Sequence, residues 1–292
     1  MKGSALESCW MLAASFLFAC MGVCVKFAAA RYSAAEIVFY RSVIALAIMF
    51  LIVRWRGIPL PTPHWRLQLF RGASGFVSLL LYFYAIVMLP LATAVTLNYT
   101  SPLFLIVFLV LLSGLRLRGA MLWTLLAGFA GVVWLLRPTL GEDQWLGAAV
   151  GLGSGILAGL AYFNVRSLGQ LGEPESRTVF YFSLLSTFGG GAWMLFFRFH
   201  PLDLEGALIL LGVGGFATAA QLAMTRSYRR GVPLVSATLA YSAVLFASLF
   251  GAIFWGEALT GQGMLAMLLI AGSGVMATWL SGRRDPGVAE SD

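Results

Sequence analysis

Charge is scarce in this chain. Only 11% of its 292 residues are Asp, Glu, Lys or Arg, against about 25% in an average soluble protein. Acid is scarcer than base, with 12 Asp and Glu facing 19 Lys and Arg. Two histidines, His64 and His200, and three cysteines, Cys9, Cys20 and Cys24, are all the chain has of the commonest metal-binding side chains. The cysteines share one apolar stretch, with no partner elsewhere and no ligand spacing, so they read as small apolar residues. Neither a disulfide nor a metal site is expected. No phosphate-binding P-loop appears, which argues against ATP drive by this chain. No convergent acids, histidines or nucleophile-base pair marks an enzyme, so no catalytic residue and no cofactor is expected. The net charge of +7 does not point to nucleic acid, because the basic residues are scattered at helix ends and form no stripe.

Apolar residues are what the chain has in abundance. They make up 60% of it, and the mean hydropathy is +0.88. Stretches long enough to cross the hydrocarbon, about 20 residues each, run over 6–28, 34–53, 69–89, 91–113, 119–136, 145–165, 177–197, 204–225, 233–255 and 261–281. The expected fold is all-α integral membrane with ten transmembrane helices and no extramembrane domain. The first stretch is too long for a signal peptide and lacks a small-residue cleavage site, so it is read as the first span. With the N-terminus inside, fourteen Lys and Arg fall on the cytoplasmic side, including Arg54, Arg66, Arg71, Arg166 and Arg226. Only Lys26, Arg31, Arg137 and Arg198 fall outside, so both termini are expected in the cytoplasm.

The chain repeats itself at a displacement of about 141 residues. Val38-Phe39-Tyr40-Arg41-Ser42 returns as Val179-Phe180-Tyr181-Phe182-Ser183. Thr96-Leu97-Asn98-Tyr99-Thr100 returns as Thr238-Leu239-Ala240-Tyr241-Ser242, without a gap through to Gly119 and Gly261. Residues 1–140 and 141–284 are therefore expected to be two five-helix repeats, followed by a short cytoplasmic tail over 285–292. Five is odd, so the second copy enters the membrane from the opposite side. Inverted repeats are characteristic of carriers that alternate access to a central site, although duplication also builds larger stable bundles.

Ten spans in two halves, Lys26 near the end of the first span, Phe39-Tyr40-Arg41 in the second and Trp255-Gly256-Glu257 ending the ninth resemble the EamA family of the drug/metabolite transporter superfamily. Within it, the chain is most similar to bacterial amino-acid exporters of the YddG type. The resemblance covers essentially the whole chain and rests more on topology and repeat than on any one motif. It implies a basket-shaped bundle with spans one, three, four, six, eight and nine around a central cavity, and spans five and ten outside. One departure is that the fourth span ends in Gly114-Leu115, where the family commonly has Gly-Glu. The resemblance further implies a bacterial inner-membrane exporter of neutral or aromatic amino acids. Other amphipathic metabolites or drugs are the alternative cargo, and a membrane-embedded enzyme or a scaffold the alternative classes. The expected partners are a small-molecule substrate and the lipid bilayer, with no nucleic acid, for a monomeric chain.

The candidate substrate-binding residues are Tyr82, Asn98, Tyr99, Pro102, Tyr162, Thr238, Tyr241 and Ser242. Pro102, near the middle of the fourth span, removes a backbone donor and is expected to kink the helix. Asn98, one turn earlier, would place its amide beside the freed carbonyl, either as a substrate contact or as a packing kink satisfied by a neighbouring helix. Thr96, Tyr99 and Thr100 share one helical face, as do Thr238, Tyr241 and Ser242. The two faces either meet around one site or make ordinary interhelical hydrogen bonds. Tyr82, Tyr84, Tyr162, Phe163 and Asn164 add an aromatic set suited to an amphipathic ligand. Gly147, Gly151, Gly155 and Gly159 leave one face of the sixth span bare, for close helix approach. Lys26 and Arg41 are read as the only cations inside the apolar slab, as possible charge contacts to a substrate carboxylate or as stems that snorkel to the headgroups. No Asp or Glu occupies the middle of a span, which favours gradient-driven movement over tight proton coupling.

Overall fold

A computed structural model describes residues 4–115, 119–196, 198–256 and 260–282. Glu257 of the ninth-span motif lies outside the described residues, as do Lys2, Arg116, Arg118, Arg283 and Arg284 of the charge count and the tail from residue 285. Among the described residues the structure is helical with no strand. The helices are α1 (Ala5–Ser8), α2 (Trp10–Ala28), α3 (Ala34–Trp55), α4 (Trp65–Met88), α5 (Leu91–Asn98), α6 (Ser101–Ser113), α7 (Gly119–Leu136), α8 (Trp145–Gln170), α9 (Glu175–Met194), α10 (Leu204–Arg230), α11 (Pro233–Ala240), α12 (Ser242–Trp255) and α13 (Gly261–Gly282).

The first, fourth and ninth expected spans each comprise two consecutive helices. Among the described residues, nine of the spans are long and apolar enough to cross a membrane. The remaining one, α9, carries Glu175, Arg177 and several Ser, Thr and Gly residues, which dilute its apolarity. Its 20 residues still extend about 30 Å, the thickness of the hydrocarbon, and it packs against α3, α4 and α10. Several helices outrun the expected spans. The third begins at Trp65 and not at 69, the sixth runs to Gln170 and not 165, and the eighth to Arg230 and not 225. Apolarity tracks the hydrocarbon, whereas the backbone ladder continues into the headgroup layer.

The fourth span does not simply kink at Pro102. Its helix stops at Asn98 and restarts at Ser101, which leaves Pro102 in the first turn of α6, where a missing N–H costs nothing. The ninth span is interrupted at the equivalent place, Tyr241, and has no proline there. What the two interruptions share is a hydroxyl. Thr100 Oγ1 donates to the Leu97 carbonyl at 2.5 Å, and its counterpart Ser242 Oγ donates to Leu239 at 2.7 Å. Such side-chain bonds to the preceding turn compete with the ladder and bend helices. The backbone tightens locally in both, through Thr100 N to Leu97 O at 3.2 Å and Tyr241 N to Thr238 O at 3.2 Å. Both spans also end on a left-handed glycine, Gly114 at φ 63° and Gly256 at φ 65°, a conformation that an L side chain resists.

Apolar helices gain little by mutual contact in lipid, so close fit holds them together. The glycine face of α8 supplies it. A Cβ at Gly151 would lie 2.8 Å from Leu97, at Gly155 2.6 Å from the Leu97 carbonyl, and at Gly159 2.9 Å from the Ser101 carbonyl. The bare face therefore seats the interruption of the fourth span. On the other side, α7 and α13 pack on each other, with Gly131 against Ile270.

The two ends of the bundle differ. At one, rich in arginine, Glu7 takes Arg226 at 2.8 Å, and Glu175 takes Arg229 at 2.7 Å and Arg230 at 3.1 Å. At the far end Arg31 meets Asp203 at 2.9 Å and Glu205 at 2.5 Å. There the buried Glu36 also holds His200, through its backbone N at 2.6 Å and Nδ1 at 2.7 Å. The arginine-rich end is sealed by α8 on α10, with Gly169 against Arg229 and Arg166 Nη1 donating to the Gly231 carbonyl at 3.3 Å. In the repeat, the counterparts of α8 and α10 are α2 and α4, which pack at most marginally.

Candidate functional site

The interruptions bring Tyr99 and Tyr241 together, ring centroids 6.4 Å apart at 45°. Tyr241 is fully buried, also flanked by Phe129 at 6.1 Å, and its hydroxyl meets no protein partner. Towards the arginine-rich end, Tyr162 of α8 stacks on Tyr228 of α10 at 4.9 Å and 22°. Tyr228 is also buried, with an unpartnered hydroxyl. Buried aromatic hydroxyls usually find an acceptor, and two left over in one region mark a place where a guest can supply it.

The other candidates sit as follows. The Asn98 amide donates to Ser154 Oγ of α8 at 3.1 Å, which ties the interruption to the glycine face. Thr238 Oγ1 donates to the Leu234 carbonyl at 2.8 Å, so its hydroxyl, like that of Ser242, bonds its own helix. Pro102 is buried at the start of α6. Tyr82 is half-buried on α4, edge-on to Phe83 at 6.2 Å, whereas Tyr84 is exposed. Lys26 Nζ lies 3.9 Å from the centre of the Trp255 ring at the far end and takes no part in the Arg41 pocket.

Arg41 lines a pocket between α3, α9 and α10, together with Phe182, Ser183, Ser186 and Gln221. A further cation lies buried within a helix long and apolar enough to span. Arg71, expected on the cytoplasmic side as a loop residue, is 2% exposed within α4, and its guanidinium stands 4.2 Å from the centre of the Phe182 ring. The misplacement follows from starting the third span at 69. With the helix starting at Trp65, Arg71 lies about 9 Å inside it, and a tryptophan at the membrane interface was the available signal. Tyr228 was missed for the same reason at the other end of a helix. Ser186 and Gln221 carried no sequence signal beyond being polar within a span.

Outside the spans, Glu173 sits in the α8–α9 turn at 4% exposure. Burial alone would raise its carboxyl pKa. Hydrogen bonds from Thr62, from Arg177 Nη1 at 2.8 Å and from Gln68 Nε2 at 3.2 Å outweigh that, and hold it below the usual carboxylate value. Arg31 is shifted up by Glu205 and, less, by Asp203.

Paired interrupted helices, buried aromatic hydroxyls and a bundle sealed at one end define a multi-pass helical membrane transporter. A solved crystal structure superposes on it with a TM-score of 0.84, over 95% of this chain and 99% of that one, at 21% identity, which establishes the fold. The chain is 33% identical over 244 residues to a pseudopaline exporter of Pseudomonas aeruginosa, covering 84% of this chain and 86% of that protein. It is 26% identical over 225 residues to a riboflavin transporter of Brucella anthropi, covering 75% and 79% of the two. Residues 5–137 match the EamA-like transporter family. The chain belongs to that family, and it is a multi-pass inner-membrane transporter of small metabolites.

Proposed function

We propose that this protein exports small amphipathic metabolites, foremost neutral and aromatic amino acids, by alternating access and down their gradient. The observation that carries this reading is the meeting of Tyr99 and Tyr241 at two equivalent helix interruptions, since discontinuous helices at the repeat interface are where carriers hold their substrates. Residues 1–140 and 141–284 then act as inverted halves, with the arginine-rich end and both termini in the cytoplasm. One chain supplies both halves of the site, so a monomer suffices. Sealing by α8 and α10 at one end, without its counterpart at the other, fits one state of an alternating cycle. Transport, not catalysis, is the activity.

A second reading, a larger organic metabolite as cargo, draws support from the relatives named as exporters or transporters of pseudopaline and riboflavin. The deciding experiment is uptake of labelled amino acids into liposomes holding the purified protein, with and without a pH gradient, for wild type, Tyr99→Ala and Asn98→Ala. Saturable uptake that needs no pH gradient and collapses in the variants supports the reading. Obligatory proton coupling would refute the gradient-driven part, and unchanged rates in both variants would sink the site. No uptake of any amino acid moves the cargo to the second class.

A further inference from the structure

The unmatched polar atoms in and beside the Arg41 pocket can all donate hydrogen bonds. Arg41 Nε, Gln221 Nε2 and the Ser186 hydroxyl are buried and meet no acceptor. Arg71 Nε and Nη1 are buried and equally unmatched, beside the Phe182 ring that also lines the pocket. Among the described residues, neither arginine joins an ion pair. A guanidinium does not shed its proton, so the buried Arg71 and the half-buried Arg41 both stay charged. Snorkelling does not relieve Arg71, which is 2% exposed, and Arg41, though half-buried, keeps its Nε buried in a pocket that residues of α3, α9 and α10 line. A water could take one or two of the donors but could not offset the charge.

The pocket also sits where the two repeats meet. In the 141-residue register Arg41 pairs with Phe182, Ser42 with Ser183 and Ala45 with Ser186, and all six line it. The charge is thus present in one copy and replaced by an aromatic ring in the other.

We infer that Arg41, Ser186 and Gln221, reinforced by Arg71, form an anion subsite that takes the carboxylate of the transported molecule. A carboxylate offers the acceptor pairs that guanidinium donors fit, and its charge offsets one of the two positive charges that the helices leave unpaired. The inference rests on the carrier reading above and adds to it a rule of selection: acids and zwitterions enter, and amines without a carboxylate do not. Chloride carries the same charge, so the test must separate the two.

The probe is sodium acetate, added to the full chain purified in detergent. Acetate is expected to raise the wild-type unfolding temperature saturably and to leave Arg41→Gln unmoved at equal ionic strength. Without acetate, Arg41→Gln is expected to unfold at a higher temperature than wild type, because a buried cation with no partner has been removed; a purely structural arginine gives the opposite sign. Ser186→Ala, a smaller change in the same pocket, is expected to raise the half-saturating acetate concentration several-fold. An equal acetate shift in wild type and Arg41→Gln overturns the subsite. Chloride acting at equal or lower concentration than acetate assigns the pocket to an inorganic anion and overturns the substrate carboxylate. In liposomes, uptake of L-phenylalanine should exceed that of 2-phenylethylamine by roughly tenfold or more, a gap of about 1.4 kcal/mol, and Arg41→Gln should erase the gap. Equal uptake of both by wild type overturns the selection rule. Acetate binding without uptake of any metabolite would sink the carrier reading and leave the anion pocket standing.

Discussion

Tyr99 and Tyr241 face each other at 6.4 Å across two helices that stop being regular at the same point of the repeat. Neither ring is there through local propensity. Each occupies the position next to a hydroxyl, Thr100 or Ser242, that bonds the carbonyl three residues back, and the loosened ladder presents the ring at the middle of the bundle. The paired rings and the glycine face of α8, which seats the interruption beside Tyr99, are therefore parts of one construction.

The Tyr241 hydroxyl is buried and unpartnered, which costs roughly 1–3 kcal/mol. Tyr241→Phe is expected to unfold at or above the wild-type temperature, while Tyr241→Ala, which empties the site of the ring, should cost about 3–5 kcal/mol. Thermal unfolding in detergent measures both. If the hydroxyl meets substrate, Tyr241→Phe lowers uptake with no loss of stability; unchanged uptake removes it from the site.

Gly155 is a stricter position than its neighbours. A Cβ there would sit 2.2 Å from Thr100 Oγ1 and 2.6 Å from the Leu97 carbonyl, and the carbonyl cannot swing aside. Gly155→Ala should destabilise by at least roughly 1–3 kcal/mol. Gly272→Ala is the control, because nothing lies within 4 Å of its Cβ position and the substitution favours the helix by about 1 kcal/mol. Equal unfolding temperatures for the two variants would contradict the packing.

The ion pairs of Glu175 with Arg229 and Arg230 brace the sealed end. Glu175→Gln should loosen it. In a background where Cys9, Cys20 and Cys24 are replaced by serine, a cysteine introduced for Ser167 is expected to react several-fold faster with a membrane-impermeant maleimide when Glu175→Gln is added. Raised salt should narrow the difference, since part of the bracing is exposed to screening. An unaltered labelling rate means that the apolar contact alone, led by Tyr162 on Tyr228, holds the end shut.

Glu173 gives this end a pH dependence of definite sign. Its pKa is lower in the folded protein than the ordinary value of about 4.3, so the stability it contributes is complete above that value and is lost as pH falls through the lower, folded one. Unfolding temperature should therefore drop on acidification below the ordinary carboxylate range, and Glu173→Gln should flatten that part of the profile. A steep acid limb that persists in the variant assigns the effect to other carboxylates.

The ten helices and the repeat were readable because both depend on residue type at a spacing, and hydrocarbon thickness enforces the first while duplication leaves the second as a trace. The glycine stripe at 147, 151, 155 and 159 was readable for the same reason, and its close contacts follow from it. Helix ends were not, since Trp65, Arg66, Arg229 and Arg230 stay helical in the headgroup layer, where apolarity has already faded. That is why Arg71 and Tyr228 went unread as interior residues. Pro102 drew attention that belonged equally to Thr100, because a proline is conspicuous in a sequence and a threonine is not. The hydroxyls of Thr238 and Ser242, expected to share a helical face with Tyr241, donate to their own backbone, a choice that depends on rotamer and leaves no mark on the spacing.

The exchange of Arg41 for Phe182 between the two copies has a consequence for how a guest lies. A cavity with true twofold symmetry welcomes a head-and-tail molecule equally well in either direction, so half of its encounters end backwards. With a cation at one equivalent position and an aromatic ring at the other, that degeneracy is broken: the acid group is drawn to the one pocket that Arg41 and Phe182 share, and the apolar tail is left to point away from it. A chain with two like halves thereby gains a sense of up and down for what it carries, which two identical halves would not supply.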